Sequence, residues 1–465
     1  MSRRTLFLTG HLAESRLRQV LAGLGALDFP WTIRDIGIQV AALMTADIVR
    51  SRLAREQTDA DRIIVPGHCQ GDLAALGAAL GIPVERGPED LHDLPEFFGR
   101  AGASIDLGEH DVRIFAEIVD APKLSLDAIL ERARSFAADG ADVIDLGCLP
   151  AIPFPHLEDA VAALKAEGFA VSVDSAAQDE LRRGDRAGAD FLLSLSEATL
   201  DLATELRATP ILVPAASGDL DGLCRAAERL ARLGKPFIAD PVLDPIPFGF
   251  APSLVRYAEL RRRLPEARIL MGIGNVTELV DADTTGMNAL LFGVIAELAI
   301  TDVLTVQVSP HCRRVIREAD RARRIMHAAK RLRRLPVGID ASLMALRERK
   351  PFTSTAAEIA ETAAQIRDAN FRIEIAADGI HLYNRDQHRV ALRAMDLYAG
   401  LSVESDGAHA FYLGVELARA EIAWRLGKRY VQDQDLDWHS AAEAAPAAQH
   451  APGPTLPARR QRRRR

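Results

Sequence analysis

Eight strand-like segments recur between residues 112 and 307, and helical segments separate them. The segments read VRIFAEIV, DVIDLG, FAVSVD, DFLLSL, PILVPA, PFIAD, RILMGI and DVLTVQ. Eight strand and helix pairs in about 225 residues match the size of one (β/α)8 barrel. We therefore predict an α/β chain whose central TIM barrel occupies residues 110–335. Two of the strands follow the same Gly-Ala-Asp turn, in DGADVIDLG and AGADFLLSL, with Gly ending a helix.

The flanking regions predict further units. In residues 1–105, strands alternate with helices, including one over residues 41–55, which predicts an N-terminal α/β (Rossmann-like) domain with a parallel sheet. In residues 337–438, FRIEIAADGIHLYNRDQ predicts a hairpin at Asp378-Gly379, and a long amphipathic helix follows, as in a small α+β domain. Residues 439–465 are rich in Ala, Pro and Arg and are expected to form a disordered tail.

Composition narrows the classes of function. The 465 residues carry a net charge of −8, which argues against nucleic acid as the partner of the whole molecule. The four cysteines are far apart in the sequence, so we expect reduced thiols and a cytoplasmic protein. No apolar run approaches the roughly 18 residues of a membrane-spanning helix, and none has the length of a signal peptide.

Three of the predicted strands end in aspartate, namely Asp145, Asp174 and Asp240. A TIM barrel places its chemistry at the C-terminal ends of its strands, so these carboxylates should face a pocket. A buried pair made of Asp174 and Asp240 could accept hydrogen bonds from the N–C–N edge of a pterin or purine. The alternative is that each carboxylate caps the helix that follows its strand.

Further candidates lie in the loops after the strands. Asn275 follows the seventh strand in a Gly-rich turn, and His311 and Arg313 follow the eighth, where barrels often bind anions. Lys123, after the first strand, could also reach an anion. The structural alternatives are tight loop geometry for Asn275 and a surface position for His311.

The loop after the sixth strand carries Phe248 and Phe250, which could cover a flat ring or could form an apolar plug. Glu117 lies near the end of the first strand. The basic segment 313–335 is interpreted as a solvated outer helix of the barrel. No residue cluster in the sequence demands a metal ion.

Several of these motifs resemble the dihydropteroate synthase and pterin-binding methyltransferase superfamily. ADVIDLG is similar to the second-strand IIDIGG-type motif, VSVDS to the third-strand motif and IADPVLDPIPFGF to the DPGFGF-type motif. The resemblance implies that Asp174 and Asp240 bind a pterin ring, and it adds Asp145, Ser194, Phe248, Phe250, Gly272 and Asn275 as substrate-binding residues.

Departures from the family pattern bear on catalysis. The synthases carry a Lys in the seventh-strand motif, whereas GIGNVTEL has Asn275 there and looks more like the methyltransferase GLSN form. The fourth-strand Asn is replaced by Ser194 or Ser196, and the first-strand NVTPDS motif by VDAPKLS. The catalytic residue is therefore open, with Lys123, Asn275, His311 and Arg313 as candidates.

Nearly the whole chain resembles the dihydropteroate synthase-related proteins of tetrahydromethanopterin-using microbes. That resemblance implies a transferase that joins a dihydropterin methyl pyrophosphate to an arylamine of the ribofuranosylaminobenzene phosphate type. Magnesium would suit the pyrophosphate, and a homodimer is implied. Two alternatives stay open: a pterin-dependent one-carbon (methyl) transferase, and a pterin-binding or assembly protein without catalysis.

Overall fold

The computed structural model describes residues 4–441, apart from 26, 28, 54–57, 89–90, 100–104, 151, 400, 402 and 404–405. The chain divides into two compact units, Met1–Asp106 and Leu107–Arg465. Of the segment expected to be a disordered tail, residues 442–465 lie outside the described part of the chain, and His439–Ala441 form a 3-10 turn.

The first unit is a four-stranded parallel sheet with helices. Its strands, in the order β2-β1-β3-β4, are β1 (Thr5–Thr9), β2 (Trp31–Asp35), β3 (Arg62–Val65) and β4 (Val84–Arg86). Its helices are α1 (His11–Gly23), α2 (Ala46–Leu53), α3 (Leu73–Leu80) and α4 (Leu94–Phe97). The predicted parallel α/β arrangement is present.

The helix predicted over residues 41–55 is wrong in its first part. Residues Ala41–Leu43 form a 3-10 turn, and α2 begins only at Ala46. Between them Met44 is extended and fully buried, and Thr45 pairs with Gln70 as an isolated parallel bridge. Burial of Met44 and this pairing hold the backbone extended at a point where the sequence pattern alone continues a helix.

The second unit contains a closed barrel of eight parallel strands, which confirms the predicted TIM barrel. The strands are β5 (Arg113–Ile118), β6 (Val143–Gly147), β7 (Ala170–Asp174), β8 (Phe191–Leu195), β9 (Thr209–Leu212), β10 (Ile238–Ala239), β11 (Arg268–Gly272) and β12 (Asp302–Val306). The helices are α5 (Leu126–Ala138), α6 (Leu157–Ala166), α7 (Gln178–Ala187), α8 (Leu200–Glu205), α9 (Leu220–Arg232), α10 (Phe250–Arg263), α11 (Gly274–Thr277), α12 (Thr284–Glu297) and α13 (Val315–Leu332).

The barrel interior is layered along the strands. At the N-terminal end, the buried carboxylate of Asp302 accepts hydrogen bonds from Arg113 at 2.9 Å and Arg268 at 2.6 Å. Next comes an apolar layer, whose buried members are Phe115, Val143, Phe191, Leu193, Ile211, Ile238 and Leu270. Polar side chains at the C-terminal ends of the strands therefore lie above an apolar floor.

The two Gly-Ala-Asp turns perform the same structural task. Gly140 and Gly188 have φ of 108° and 97°, values that favour glycine, and each follows the end of a helix. The aspartate two residues later accepts a hydrogen bond from a backbone N–H of the preceding strand. Asp142 accepts from Ile114 and Asp190 from Val171, each at 2.8 Å. The turns thus fix neighbouring strands in register.

The interpretation of the basic segment as a solvated helix is only half correct. One face of α13 is buried, and it includes Arg323, which is 2% exposed. Its guanidinium donates to the carbonyls of Val112 and Gly140 and forms ion pairs with Asp142 and Asp320. The charge is accommodated because its hydrogen-bond partners are all acceptors, which the local sequence does not reveal.

After the barrel come α14 (Ala356–Gln365) and an antiparallel sheet of β13 (Arg372–Ala376), β14 (Gly379–Tyr383) and β15 (His388–Ala391), followed by α15 (Ala394–Tyr398) and α16 (Gly407–Leu426). The predicted hairpin at Asp378-Gly379 is confirmed, since β13 and β14 pair up to Ala376 and Gly379. One face of the sheet packs on α16. Within the described residues no helix has the length and apolarity needed to cross a membrane.

Candidate functional site

Four carboxylic side chains gather at the C-terminal end of the barrel. Glu117 is on β5, Asp145 on β6, Asp174 ends β7, and Asp240 follows β10 directly. Glu117 pairs in register with Asp145, and Gly147 pairs with Asp174. Since alternate residues of a strand share a face, Glu117 and Asp145 point inward like the core residues Phe115 and Val143.

Three of these residues form what we call the carboxylate triad: Glu117, Asp145 and Asp174. Each contributes one oxygen, and the three oxygens lie within 4.8 Å of one another. Asp145 is fully buried, and neither of its oxygens has a hydrogen-bond partner among the described residues. The sequence marks the two aspartates as strand-end groups, whereas it places Glu117 only near the end of a strand.

Burial and mutual repulsion make the triad hold protons more tightly than ordinary carboxyl groups. Burial raises the pKa of Glu117 to about 7, and the charge of Asp174 adds to the rise. Burial raises the pKa of Asp174 to about 6, while a hydrogen bond from Ser194 at 3.4 Å acts the other way. The pKa of Asp145 is well above its usual range, first through burial and then through its two acidic neighbours. The triad therefore favours a proton or a cation.

Asp240 is held by two donors. It accepts hydrogen bonds from the Tyr257 hydroxyl at 2.7 Å and from the backbone N–H of Val242 at 2.8 Å. Burial nevertheless raises the pKa of Asp240 to about 6, and the charge of Asp174 contributes to the rise. The two aspartates are thus close enough to influence each other electrostatically, although they lie on strands far apart in the sequence.

The helix-capping alternative does not describe either aspartate. The helix after β7 begins at Gln178, and its N-cap residue, Ala177, makes no side-chain capping bond. Ser175 rather than Asp174 accepts the Ala177 N–H, at 3.0 Å. The helix after β10 begins only at Phe250, so Asp240 is ten residues too early to cap it.

The candidate residues that follow β10 and β11 lie at the mouth of the barrel, which the C-terminal ends of the strands form, and most of them make local contacts. The Asn275 amide donates to the Leu243 carbonyl at 2.8 Å, which ties the turn after Gly272 to the loop after β10. Phe248, in that loop, is 81% exposed, whereas Phe250 begins α10 and is partly buried against the barrel core. Only Phe248 therefore retains the freedom expected of a ring-covering side chain.

The candidates for contact with an anion lie on the rim of the barrel, in the segments that follow β5 and β12. Lys123 is exposed, and its ammonium group is 3.5 Å from the Asp120 carboxylate. The His311 Nε2 atom contacts the Thr277 carbonyl at 3.1 Å, and Arg313 is exposed. Lys123 and His311 therefore contact Asp120 and Thr277 rather than the triad.

An open cavity of about 470 Å³ adjoins Asp174 on the side of the loops after β6 and β7. Its lining is largely apolar and comprises Cys148, Leu149, Pro150, Ile152, Pro153, Ser175, Ala176, Ala177 and Glu180. The Cys148 N–H donates to the Asp174 carbonyl at 2.9 Å, so the cavity and the triad share this backbone. Burial raises the pKa of the Cys148 thiol, which argues against a nucleophilic role.

Comparison with known proteins gives three kinds of match. Residues 3–89 match a family of unknown function (DUF6513). An uncharacterized protein of Methanocaldococcus jannaschii, MJ0107, is 26% identical over 524 aligned positions, which cover 93% of this chain and 98% of that protein.

Similar solved structures include three dihydropteroate synthases. The enzyme of Yersinia pestis with a pterine-sulfa conjugate is 19% identical, with a TM-score of 0.38, over 49% of this chain and 95% of that one. The enzyme of Coxiella burnetii with pteroic acid is 15% identical, with a TM-score of 0.40, over 48% and 94%. The enzyme of Thermus thermophilus with 6HMPPP is 18% identical, with a TM-score of 0.38, over 49% and 96%.

Proposed function

We propose that the barrel binds a pterin ring between Asp174 and Asp240. The observation that carries this proposal is the electrostatically linked pair of carboxyl groups at the ends of β7 and β10, of which Asp174 is partly buried and Asp240 is buried. Carboxylates in such positions accept short, directional hydrogen bonds from the amino group and ring N–H of an N–C–N edge. The motif resemblance at VSVDS and IADPVLDPIPFGF points to the same two residues.

The surroundings suit a flat ring. Tyr257 and the Val242 N–H fix the Asp240 carboxylate, so its free oxygen is oriented before a ligand arrives. Ser194 contacts Asp174, and Phe248 supplies an exposed aromatic face on the loop above. The cavity lined by Pro150 and Ile152 offers an apolar place for a second, aromatic substrate.

The reaction we propose is transfer of a dihydropterin-methyl group from its pyrophosphate to an arylamine, in tetrahydromethanopterin biosynthesis. The bond between the methylene carbon and the pyrophosphate oxygen breaks, and its electron pair leaves with pyrophosphate. The amine nitrogen then bonds to the methylene carbon and loses a proton. The protein's share is orientation of the two rings and stabilisation of the separating charges.

A second candidate function is pterin binding without turnover. The contacts of Asn275 and Lys123 favour it. The synthase Lys is replaced by Asn275, whose amide is already bonded to Leu243. Lys123 lies beside Asp120, which partly neutralises its charge. One-carbon transfer is the remaining alternative, and methyl-group exchange with a corrinoid partner would identify it.

Calorimetric titration with 6-hydroxymethyl-7,8-dihydropterin at about pH 7.5 tests the ring site. Asp174→Asn and Asp240→Asn should each weaken binding by about 10- to 100-fold, the cost of one hydrogen bond to a charged group of about 1.5–3 kcal/mol. Asp120→Asn is the matched control, because this rim carboxylate is half exposed and its φ of 63° suits asparagine.

Binding should also weaken as the pH falls through 6. Asp174 and Asp240 both have a pKa of about 6 and accept hydrogen bonds through both oxygens only when ionised. Unchanged affinity in both asparagine variants, or no binding by the wild type, would overturn the ring site. Release of pyrophosphate when arylamine phosphate and the pterin pyrophosphate are added together would select the synthase over a binding protein.

A further inference from the structure

The carboxylate triad brings three acidic groups together above the apolar floor of the barrel. Glu117, Asp145 and Asp174 lie on adjacent strands β5, β6 and β7, and their nearest oxygens are within 4.8 Å of one another. The apolar layer, which includes Phe115 and Val143, lies beneath them. Three like charges in such a place repel strongly unless a proton or a cation compensates them.

Two fully buried groups at this position lack partners. Both oxygens of Asp145 and the hydroxyl of Ser172 make no hydrogen bond of ordinary geometry among the described residues, although Ser172 lies close enough to Asp145 to counter part of the rise in its pKa. Ser172 pairs in register with Asp145 on the next strand, so its side chain faces the barrel interior on the same side. Buried polar atoms are normally bonded, so these oxygens indicate a ligand that supplies positive charge.

The backbone next to the triad leaves room for the acidic side chains. Gly147 sits two residues after Asp145, and a Cβ atom there would overlap the Glu117 Oε1 atom. Any larger residue at this position would push the Glu117 carboxylate away from its present place. The glycine therefore permits the close approach of the three acidic side chains.

We propose that the carboxylate triad binds one hard divalent cation of the Mg²⁺, Mn²⁺ and Ca²⁺ class. All the available ligand atoms are oxygens, which these ions prefer over nitrogen or sulfur. Two oxygens on opposite sides of an ion are about 4.2 Å apart for Mg²⁺ and about 4.6–5.2 Å apart for Ca²⁺. The spacing of the triad is compatible with this range, and three carboxylates outweigh the charge of one ion.

The ion would have positions left over for other ligands. Three protein oxygens, with Ser172 as a fourth neighbour, do not fill the six or more positions that these ions take. The remaining positions are open to water or to the phosphate oxygens of a substrate. The cation site and the ring site share Asp174, but Glu117 belongs only to the first and Asp240 only to the second, so variants of these two residues tell the sites apart.

Mn²⁺ alone, added to the full-length chain after EDTA treatment, is the probe we would use. Bound Mn²⁺ loses the sharp multi-line EPR signal of the hydrated ion, so a titration at about pH 7.5 gives both stoichiometry and affinity. We expect one ion per chain with a Kd tighter than about 1 mM, and displacement by Mg²⁺ or Ca²⁺. Absence of saturable binding in the wild type would overturn the proposal and leave protons as the compensating charge.

Glu117→Gln should weaken Mn²⁺ binding by more than the roughly 10- to 100-fold cost of losing an outer-shell partner. Asp240→Asn is the matched control, since it removes a buried carboxyl group at the same mouth but outside the triad, and it should leave Mn²⁺ binding unchanged. Pterin affinity should respond in the opposite way, with a loss in Asp240→Asn and little change in Glu117→Gln. The two variants therefore show whether the proposed cation site, the proposed pterin site or both are wrong.

Gly147→Ala provides a second variant that keeps every triad carboxylate. Its Cβ atom displaces the Glu117 carboxylate, so it should also weaken Mn²⁺ binding if the triad is the site. Far-UV circular dichroism establishes that each variant is folded before titration. Folded Glu117→Gln and Gly147→Ala proteins that bind Mn²⁺ like the wild type would refute the assignment.

Discussion

Replacing Glu117 with glutamine is expected to remove a pH-dependent loss of stability from the barrel. Burial raises the pKa of Glu117 from its ordinary value of 4.5 to about 7. The folded state therefore binds this proton more tightly than the unfolded state, so the free energy of unfolding falls as the pH rises between these two values. The contribution is complete below pH 4.5 and absent above pH 7.

The magnitude follows from the size of the shift. Each pKa unit corresponds to about 1.36 kcal/mol, so the wild type should lose about 3 kcal/mol through this one carboxyl group as the pH rises between the two pKa values. Glutamine has nearly the same shape and does not titrate. Its presence also relieves the repulsion that raises the pKa of Asp145. The unfolding free energy of the variant should thus decline less steeply with pH.

Urea unfolding followed by far-UV circular dichroism at intervals from about pH 4.5 to 8 measures this difference. EDTA is present throughout, so that no divalent cation competes with the proton. Glu131→Gln is the matched control, because Glu131 is an exposed carboxylate on α5. If the curves of Glu117→Gln and the wild type ran parallel over this pH range, the electrostatic account of the triad would be refuted.

Three further predictions concern stability. Arg323→Met removes a buried cation that pairs with Asp142 and shares Asp320 with Arg324, and it should lower the free energy of unfolding by about 3–5 kcal/mol in urea. Arg321→Met, on the exposed face of the same helix, should change it little. Gly379→Ala should destabilise the hairpin by more than about 1 kcal/mol, because residue 379 has a φ of 140° and the new Cβ would lie 2.7 Å from the Ala391 carbonyl oxygen. Trp424 packs against the core between the hairpin and α16, so its fluorescence reports the unfolding transition. Mn²⁺ at about pH 7.5 should raise the urea midpoint of the wild type and leave that of Glu117→Gln unchanged.

The barrel and three of its acidic groups, Asp145, Asp174 and Asp240, follow from the sequence because they depend on local pattern. Each strand is a short apolar run, and its last residue marks the C-terminal end at which Asp174 and Asp240 lie. Glu117 could have been assigned as well, since in RIFAEI the alternation of period two places it on the same face as Phe115. The alternation alone does not say which face of the strand points inward, and Glu117 can be assigned to the pocket only once that face is known.

Other features depend on partners that the sequence does not bring together. Tyr257 orients Asp240 from a helix that begins ten residues after that aspartate, and no local motif marks the contact. Arg323 looks like one more cation in a solvated basic run, yet its partner Asp142 is 181 residues away. The extended Met44 owes its conformation to burial and to the neighbouring bridge with residue 70. Tertiary packing overrides local pattern at each of these positions.

The paired Gly-Ala-Asp turns have a consequence for how this barrel can change over evolutionary time. Asp142 and Asp190 secure the strands at their N-terminal ends, where a slip of one residue would turn every inward side chain outward. By fixing the strand register at the N-terminal end of the barrel, they also keep the acidic side chains at the C-terminal end in place. The loops after β6 and β7 can accept substitutions, insertions or exchange with those of another barrel while the strand pairing persists. New ligand preferences can arise, or be engineered, in those loops on an unchanged scaffold.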